Sequence, residues 1–308
     1  GRVYWTKDNY YDNPTTKTVI QLTNGDEKGY QYSFNAVLTK KFDFGFTGSF
    51  GYTYTMAKDM TANPGSSAAS VWQNNVAVNS LNDPGVSYSL FSTPHRLIAN
   101  ASYEIAYANM KTTVSLFYTG YQQGRFSYTY YNDINGDGNY SDLMYVPASK
   151  DEMTFVDIKD KQNNVTYTAE EQQEDFWNYV NSDSYLSERK GQYVERASSL
   201  EPWIHRFDMK IAQDFYAKIG NRKYGIQVSL DMLNIGNLLN SKWGAYRSCG
   251  LQSYDNVRLL KTASKVGEPL TYQMNASSRE AFQKNSKWDY TASTGSAWQM
   301  QLGVKFTF

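Results

Sequence analysis

The feature that most constrains this chain is a two-residue period of apolar side chains that recurs in seven separate stretches. Tyr30, Tyr32, Phe34, Ala36 and Leu38 alternate with Gln31, Ser33, Asn35, Val37 and Thr39. Side chains of a strand point alternately to opposite faces, so this spacing predicts a strand with one apolar face. After a tight turn at Phe42-Asp43, residues Phe44, Phe46, Gly48, Phe50, Tyr52, Tyr54 and Met56 oppose Gly45, Thr47, Ser49, Gly51, Thr53 and Thr55. The pattern returns over 95–105 and 112–119, where Ile98 is an exception, over 203–214 and 224–232, and at the terminal stretch Trp298 to Phe308.

Connection lengths alternate as well. The links near 42, 108 and 220 are a few residues long, whereas those over about 58–92, 130–201 and 236–296 are far longer. Long structureless loops are uncommon inside a compact soluble domain. Short turns at one end and long loops at the other are the rule in outer-membrane barrels. The mean hydropathy of −0.63 does not oppose this, because only alternate residues of such a strand face lipid. No apolar run approaches the ~20 residues of a spanning helix. The polar faces carry opposite charges at mid-strand, as in Arg206, Asp208, Lys210 and Asp214, and the apolar faces gather aromatics towards their ends. The expected fold class is all-β: an antiparallel transmembrane β-barrel segment with long extracellular loops, in which residues 1–308 form the C-terminal part of one barrel domain. Seven strands, or eight if Thr18 to Asn24 adds one, would leave an open sheet with unpaired amides in lipid, so a larger barrel is expected. A soluble β-sandwich binding module or adhesin is the alternative from another class.

Other functional classes find little support. Formal net charge is zero, which leaves no electrostatic footprint for nucleic acid. Cys249 is the single cysteine and belongs to no metal or redox motif. His95 and His205 each precede an arginine at the start of a strand, which suggests a repeated structural role with Arg96 and Arg206 turned inward. Thr168-x-x-Glu171 is a capping box that predicts a loop helix containing Phe176, Trp177 and Val180. No nucleophile–base constellation is recoverable, and no enzyme is expected.

Three stretches carry a resemblance: Thr93-Pro-His-Arg-Leu97; Tyr185 to Arg196 leading into Pro202-Trp-Ile-His-Arg-Phe-Asp208; and Asp231-Met-Leu-Asn-Ile-Gly-Asn-Leu-Leu-Asn-Ser-Lys-Trp-Gly244. In this order and with the terminal strand, the chain resembles the C-terminal end of TonB-dependent outer-membrane receptors of the Oar-like branch found in Bacteroidota. The resemblance covers most of residues 28–308. It implies a barrel of about 22 strands with a plugged lumen, of which seven would be the last third. It also implies location in the outer membrane of a Gram-negative bacterium. Expected partners are membrane lipid, the rest of the barrel with its plug, TonB acting through a more N-terminal part, and an accessory surface lipoprotein. The implied function is energised uptake of a nutrient such as a peptide or glycan. A non-energised porin-like or split-barrel subunit completed by another chain is the alternative.

Three sets of residues are candidate sites. Asp133, Asn135 and Asp137 followed by Gly138 match the first half of an oxygen-ligand calcium loop, and Asn139, Ser141 and Asp142 could add donors. The EF-hand pattern fails at Met144, where a bidentate Glu belongs, and a turn of Asx and Gly residues would need no metal. Tyr128, Tyr130, Tyr131 and Tyr140, with Trp177 and Tyr179, are candidate aromatic platforms for a ligand, the alternative being loop self-packing. Gln301-x-Gly303-x-x-Phe306-x-Phe308 matches the terminal signal that the outer-membrane assembly machinery reads in proteins of this kind.

Overall fold

The computed structural model describes residues 2–4, 24–61, 65–140, 142–253, 255–275, 279, 282 and 287–308. A wall of long strands runs through it: β1 (Tyr30–Lys41), β2 (Phe46–Asp59), β3 (His95–Tyr107), β4 (Met110–Gln122), β5 (Trp203–Ile219), β6 (Arg222–Leu233) and β7 (Gln299–Thr307). Each strand is hydrogen-bonded antiparallel to the next in chain order, and Ser87–Tyr88 adds to the end of β2. The predominantly antiparallel β expectation therefore holds. Among the described residues β1 and β7 are each paired on one side only, so the sheet is open. The proposed extra strand from Thr18 lies outside the described residues, apart from Asn24, which is in no strand.

The short turns follow from backbone sterics. Phe42 and Gly45 close the first hairpin, with the Gly45 N–H donating to the Phe42 carbonyl at 3.2 Å. Gly45 has φ +93°, and a Cβ there would lie 2.2 Å from the Glu104 carbonyl oxygen, so no other residue fits. The other two hairpins turn through Ala108 (φ 48°) and Gly220 (φ 61°), the left-handed backbone that two-residue hairpin loops require.

Registers keep the two faces of the wall distinct. Lys210 opposes Asp231, which opposes Gln301, and their charged groups pair across strands, Lys210 Nζ lying 2.9 Å from Asp231. Lys111 reaches Glu104 at 3.2 Å and Asp214 at 3.9 Å on the same face. The opposite face is apolar and uncovered: Phe34 is 61% exposed, Leu38 73% and Leu302 72%. Several apolar side chains break the pattern, Ile204 and Leu233 among them. Val37, Ile98 and Phe117 lie on the polar face, Phe117 between Asn100 and Asp208, and all three are exposed.

The long connections include the helix predicted after Thr168 and carry more structure besides. They carry the helices Ala68–Asn74, Ala169–Ser182 and Ser184–Glu188 and fold together into a cap at one end of the wall. Its centre is a sheet in which Arg125–Tyr130 pairs in parallel with Asn256–Thr262, and Thr271–Met274 pairs in parallel with Thr154–Phe155. Parallel pairs arise here because the partners come from different connections, with no hairpin to force them antiparallel. The main hydrophobic core lies in this cap, built from Val76, Tyr128, Met144, Phe176, Leu259 and Met274 of all three connections, together with Cys249. Apolar residues from three separate connections thus find one another only in space. Capping boxes begin two of the helices as local chemistry dictates: Ser67 with Ser70, and Thr168 with Glu171.

Candidate functional site

The acidic loop of the cap is organised by its own backbone. Asp133 accepts from the Gly136 N–H at 2.6 Å and the Gly138 N–H at 2.8 Å. Asn135 Oδ1 accepts from the Asp137 N–H at 2.9 Å, and Asp137 Oδ1 from the Asn139 N–H at 2.8 Å. These are successive Asx turns, and they hold the loop with protein donors. Asp142 turns away from them: one oxygen accepts from the Ile134 N–H at 3.1 Å, and the other pairs with the Arg2 guanidinium. Arg2 also donates to the Val78 carbonyl at 2.7 Å and stacks 5.4 Å from the Tyr193 ring centre. Burial raises the Asp142 carboxyl to about 7, with Asp137 and Asp133 adding to the rise and Arg2 and the Ile134 N–H opposing it. The donor types suit calcium, but the geometry commits each of these carboxylates and Asn135 Oδ1 to the protein. No cluster of three His, Cys, Asp or Glu side chains able to hold a metal occurs among the described residues, and Ser141 lies outside them.

The six aromatic candidates divide. Tyr128, Tyr130 and Tyr179 belong to the cap core, Tyr128 being fully buried, so they are packing residues and present no ring to a solute. Tyr131 and Tyr140 are exposed at the outer surface of the cap. Trp177 is half-buried under Lys190, whose Nζ sits 4.6 Å from its ring centre. The correction has a simple cause: an alternating Tyr-x-Tyr strand reads the same whether its aromatic face meets solvent or another layer.

The burial of Tyr128 reveals a knot that sequence spacing does not signal. Its hydroxyl donates to Asp183 at 2.6 Å, and Lys287 Nζ donates both to Tyr128 and, at 2.7 Å, to Asp183. Asp183 also caps its helix through the Tyr185 and Leu186 N–H groups. Burial opposes ionisation of Asp183, yet Lys287 and these donors hold it below the usual carboxylate range. A second tie joins cap to wall: buried Arg196 donates to Asn75 at 3.0 Å and lies 3.2 Å from Asp59 at the end of β2. Arg196 borders a cavity of about 400 Å³ shared with Phe91, Asp255 and Asn256.

The two histidines occupy equivalent places, as their sequence context suggested. His95 Nδ1 lies 2.8 Å from the Tyr52 hydroxyl, and His205 Nδ1 lies 2.8 Å from the Tyr118 hydroxyl. Both rings join an aromatic row on the apolar face. It runs through Tyr30, Tyr32, Tyr54, His95, Trp203, His205, Tyr118 and Phe207, with centroid separations of 4.9 to 6.3 Å. A second cluster, Phe42, Phe44, Phe46 and Tyr103, lies at the hairpin end, and Phe306 stacks on Phe308 at 5.8 Å. The terminal motif lies in β7 and just beyond it. Gly303 faces Ser229, whose Oγ would be 2.9 Å from any added Cβ, while Phe306 and Phe308 are exposed on the apolar side.

No family model, curated protein or solved structure matches the chain.

Proposed function

We propose that the chain is the C-terminal wall of a larger outer-membrane β-barrel, belonging to a TonB-dependent receptor of the Oar-like kind. The observation that carries the reading is an uncovered apolar face bounded by two rows of aromatic rings. Along β3 the two rows are eight residues apart, from His95 to Tyr103, which at the usual rise and barrel tilt gives roughly 20 Å of height. The lipid-facing band of outer-membrane barrels is about 25 Å tall and is flanked by aromatic girdles. A water-soluble domain rarely exposes a contiguous apolar patch above a few hundred Å². The opposite face suits a polar lumen, with its cross-strand pairs Lys210–Asp231 and Lys111–Glu104. No described helix is long and apolar enough to cross a membrane.

The one-sided pairing of β1 and β7 supports the larger barrel, because each unpaired amide in hydrocarbon costs several kcal/mol. Further strands would complete the wall, and a plug would fill the lumen, where Val37, Ile98 and Phe117 offer it apolar contacts. The folded cap would then be the extracellular surface that meets a peptide or glycan before it passes inward. The resemblance in the 93–97, 185–208 and 231–244 stretches supplies the TonB dependence. Expression with a secretion leader, followed by membrane fractionation and unheated gel electrophoresis, tests the reading. Outer-membrane recovery and heat-modifiable migration are expected of the complete protein. A monomer that stays dissolved without detergent would end it and favour the soluble module. A coding sequence immediately upstream of Gly1 that lacks a plug would favour the split-barrel subunit.

A further inference from the structure

A groove of about 440 Å³ opens on the apolar face where β6 ends and the third connection begins. Trp203, His205 and Phe207 of β5 form its floor, and Trp243 and Tyr290 form its walls. Lys242 and Arg247 stand at its rim, their cationic groups 5.7 and 5.4 Å from the Tyr290 ring centre. Neither has a carboxylate partner among the described residues, and Arg247 Nε is buried without any hydrogen-bond acceptor.

The groove is held by dedicated contacts. Gln123 clamps the backbone of Arg247 on both sides, accepting from its N–H and donating to its carbonyl, each at 2.8 Å. Asn237 donates to the Ser241 and Trp243 carbonyls at 2.7 and 3.1 Å, and Asn240 accepts from the Lys242 N–H at 3.0 Å. Around it, Leu238, Leu239, Trp243 and Trp298 are exposed and continue the apolar face.

We infer that this groove binds one phosphate-bearing anionic lipid of the leaflet on the cap side, its acyl chain on Trp203, Phe207 and Trp243 and its phosphate between Lys242 and Arg247. The inference rests on the membrane reading above. Charge complementarity selects the occupant. An apolar floor with two cations at one end, neither paired with a carboxylate among the described residues, matches an amphiphile with an anionic head such as a phosphate. The aromatic row places the groove at the depth where head groups meet hydrocarbon.

The test uses the complete protein in detergent, titrated separately with phosphatidylglycerol and phosphatidylcholine carrying brominated acyl chains, with tryptophan quenching as the readout. The anionic lipid is expected to quench at lower concentration, by about five-fold for each cation near the surface. Lys242→Gln, an exposed position, is expected to remove one such factor, and the double variant with Arg247→Gln the whole preference. Equal quenching by both lipids in the wild type, or a preference that survives the double variant, would overturn the inference. So would loss of the preference in millimolar inorganic phosphate, which would assign the cations to a free anion. Absence of quenching by either lipid, in a protein that needs no detergent, would overturn the membrane reading itself.

Discussion

The Asn234 side chain and the Gly244 backbone are locked together at the junction of wall and cap. Asn234 Nδ2 donates to the Gly244 carbonyl at 3.2 Å and to the Ser296 carbonyl at 2.7 Å. A Cβ on Gly244 would lie 1.9 Å from Asn234 Oδ1, and Gly244 itself has φ +64°. Asn234 also adopts the left-handed backbone (φ 51°) and is fully buried. One residue thus ends β6, starts a short helix and fastens the third connection.

Gly244→Ala is accordingly expected to lose stability twice, through strained backbone and through a clash with a buried side chain. The sum is about 2–4 kcal/mol. Thermal unfolding in detergent should show a lowered midpoint, whereas Gly250→Ala, with open space around its Cα, should change little.

Gly120 occupies a comparable position in the wall. A Cβ there would meet the Tyr118 hydroxyl at 2.3 Å and His205 Nδ1 at 3.2 Å. Gly120→Ala should displace the Tyr118 ring and break its bond to His205, at a cost of roughly 1–3 kcal/mol. The readout is the temperature at which the protein loses its compact migration in unheated gels. Tyr118→Phe, which keeps the ring and removes only the hydroxyl, should fall between it and wild type.

The Asp142 carboxyl, raised to about 7, gives the cap a defined pH dependence. Its folded value exceeds its ordinary one of 3.8, so the fold binds its proton more tightly than the unfolded chain does. Its contribution is full below about 4 and disappears as pH rises through about 7. Cap stability followed by hydrogen exchange should decline over that window, and Asp142→Asn should flatten the decline.

Asp133 bears on calcium. Asp133→Ala removes the acceptors for two backbone N–H groups and should cost about 0.5–2 kcal/mol, the range found for comparable side-chain caps, whereas Asp133→Asn keeps one oxygen and removes only one acceptor. The same loss with and without calcium is expected if the Asx turns alone hold the loop. Calcium-dependent stabilisation of wild type that Asp133→Ala abolishes would show that the loop takes the ion.

Deletion of Phe308 tests the terminal signal. Phe308 is 87% exposed and contacts the wall mainly through Phe306, so its removal should leave the stability of the assembled protein nearly unchanged. Membrane assembly in cells should nevertheless fall severalfold at constant synthesis. Normal assembly of the deletion would remove the signal from the account.

The wall was legible in the sequence because a strand's two-residue period is a local property, set by the alternation of side chains to opposite faces. Phe117 escaped that reading, since it stands on the polar face between Asn100 and Asp208. The cap was not legible. Tyr128 acquires its role only when Asp183 and Lys287, from two different connections, converge on it. The parallel pairing of 125–130 with 256–260 has no turn to announce it.

The sequence by itself determined seven amphipathic strands, their order, their hairpins and the capping of the helix after Thr168. Alternation, glycine at left-handed turns and side-chain capping all act over a few residues. Only the tertiary structure decided that three long connections share one core, which tyrosines that core consumes, and where Lys242 and Arg247 stand above the aromatic row. Those outcomes depend on contacts between residues far apart in the chain, and no local period encodes them.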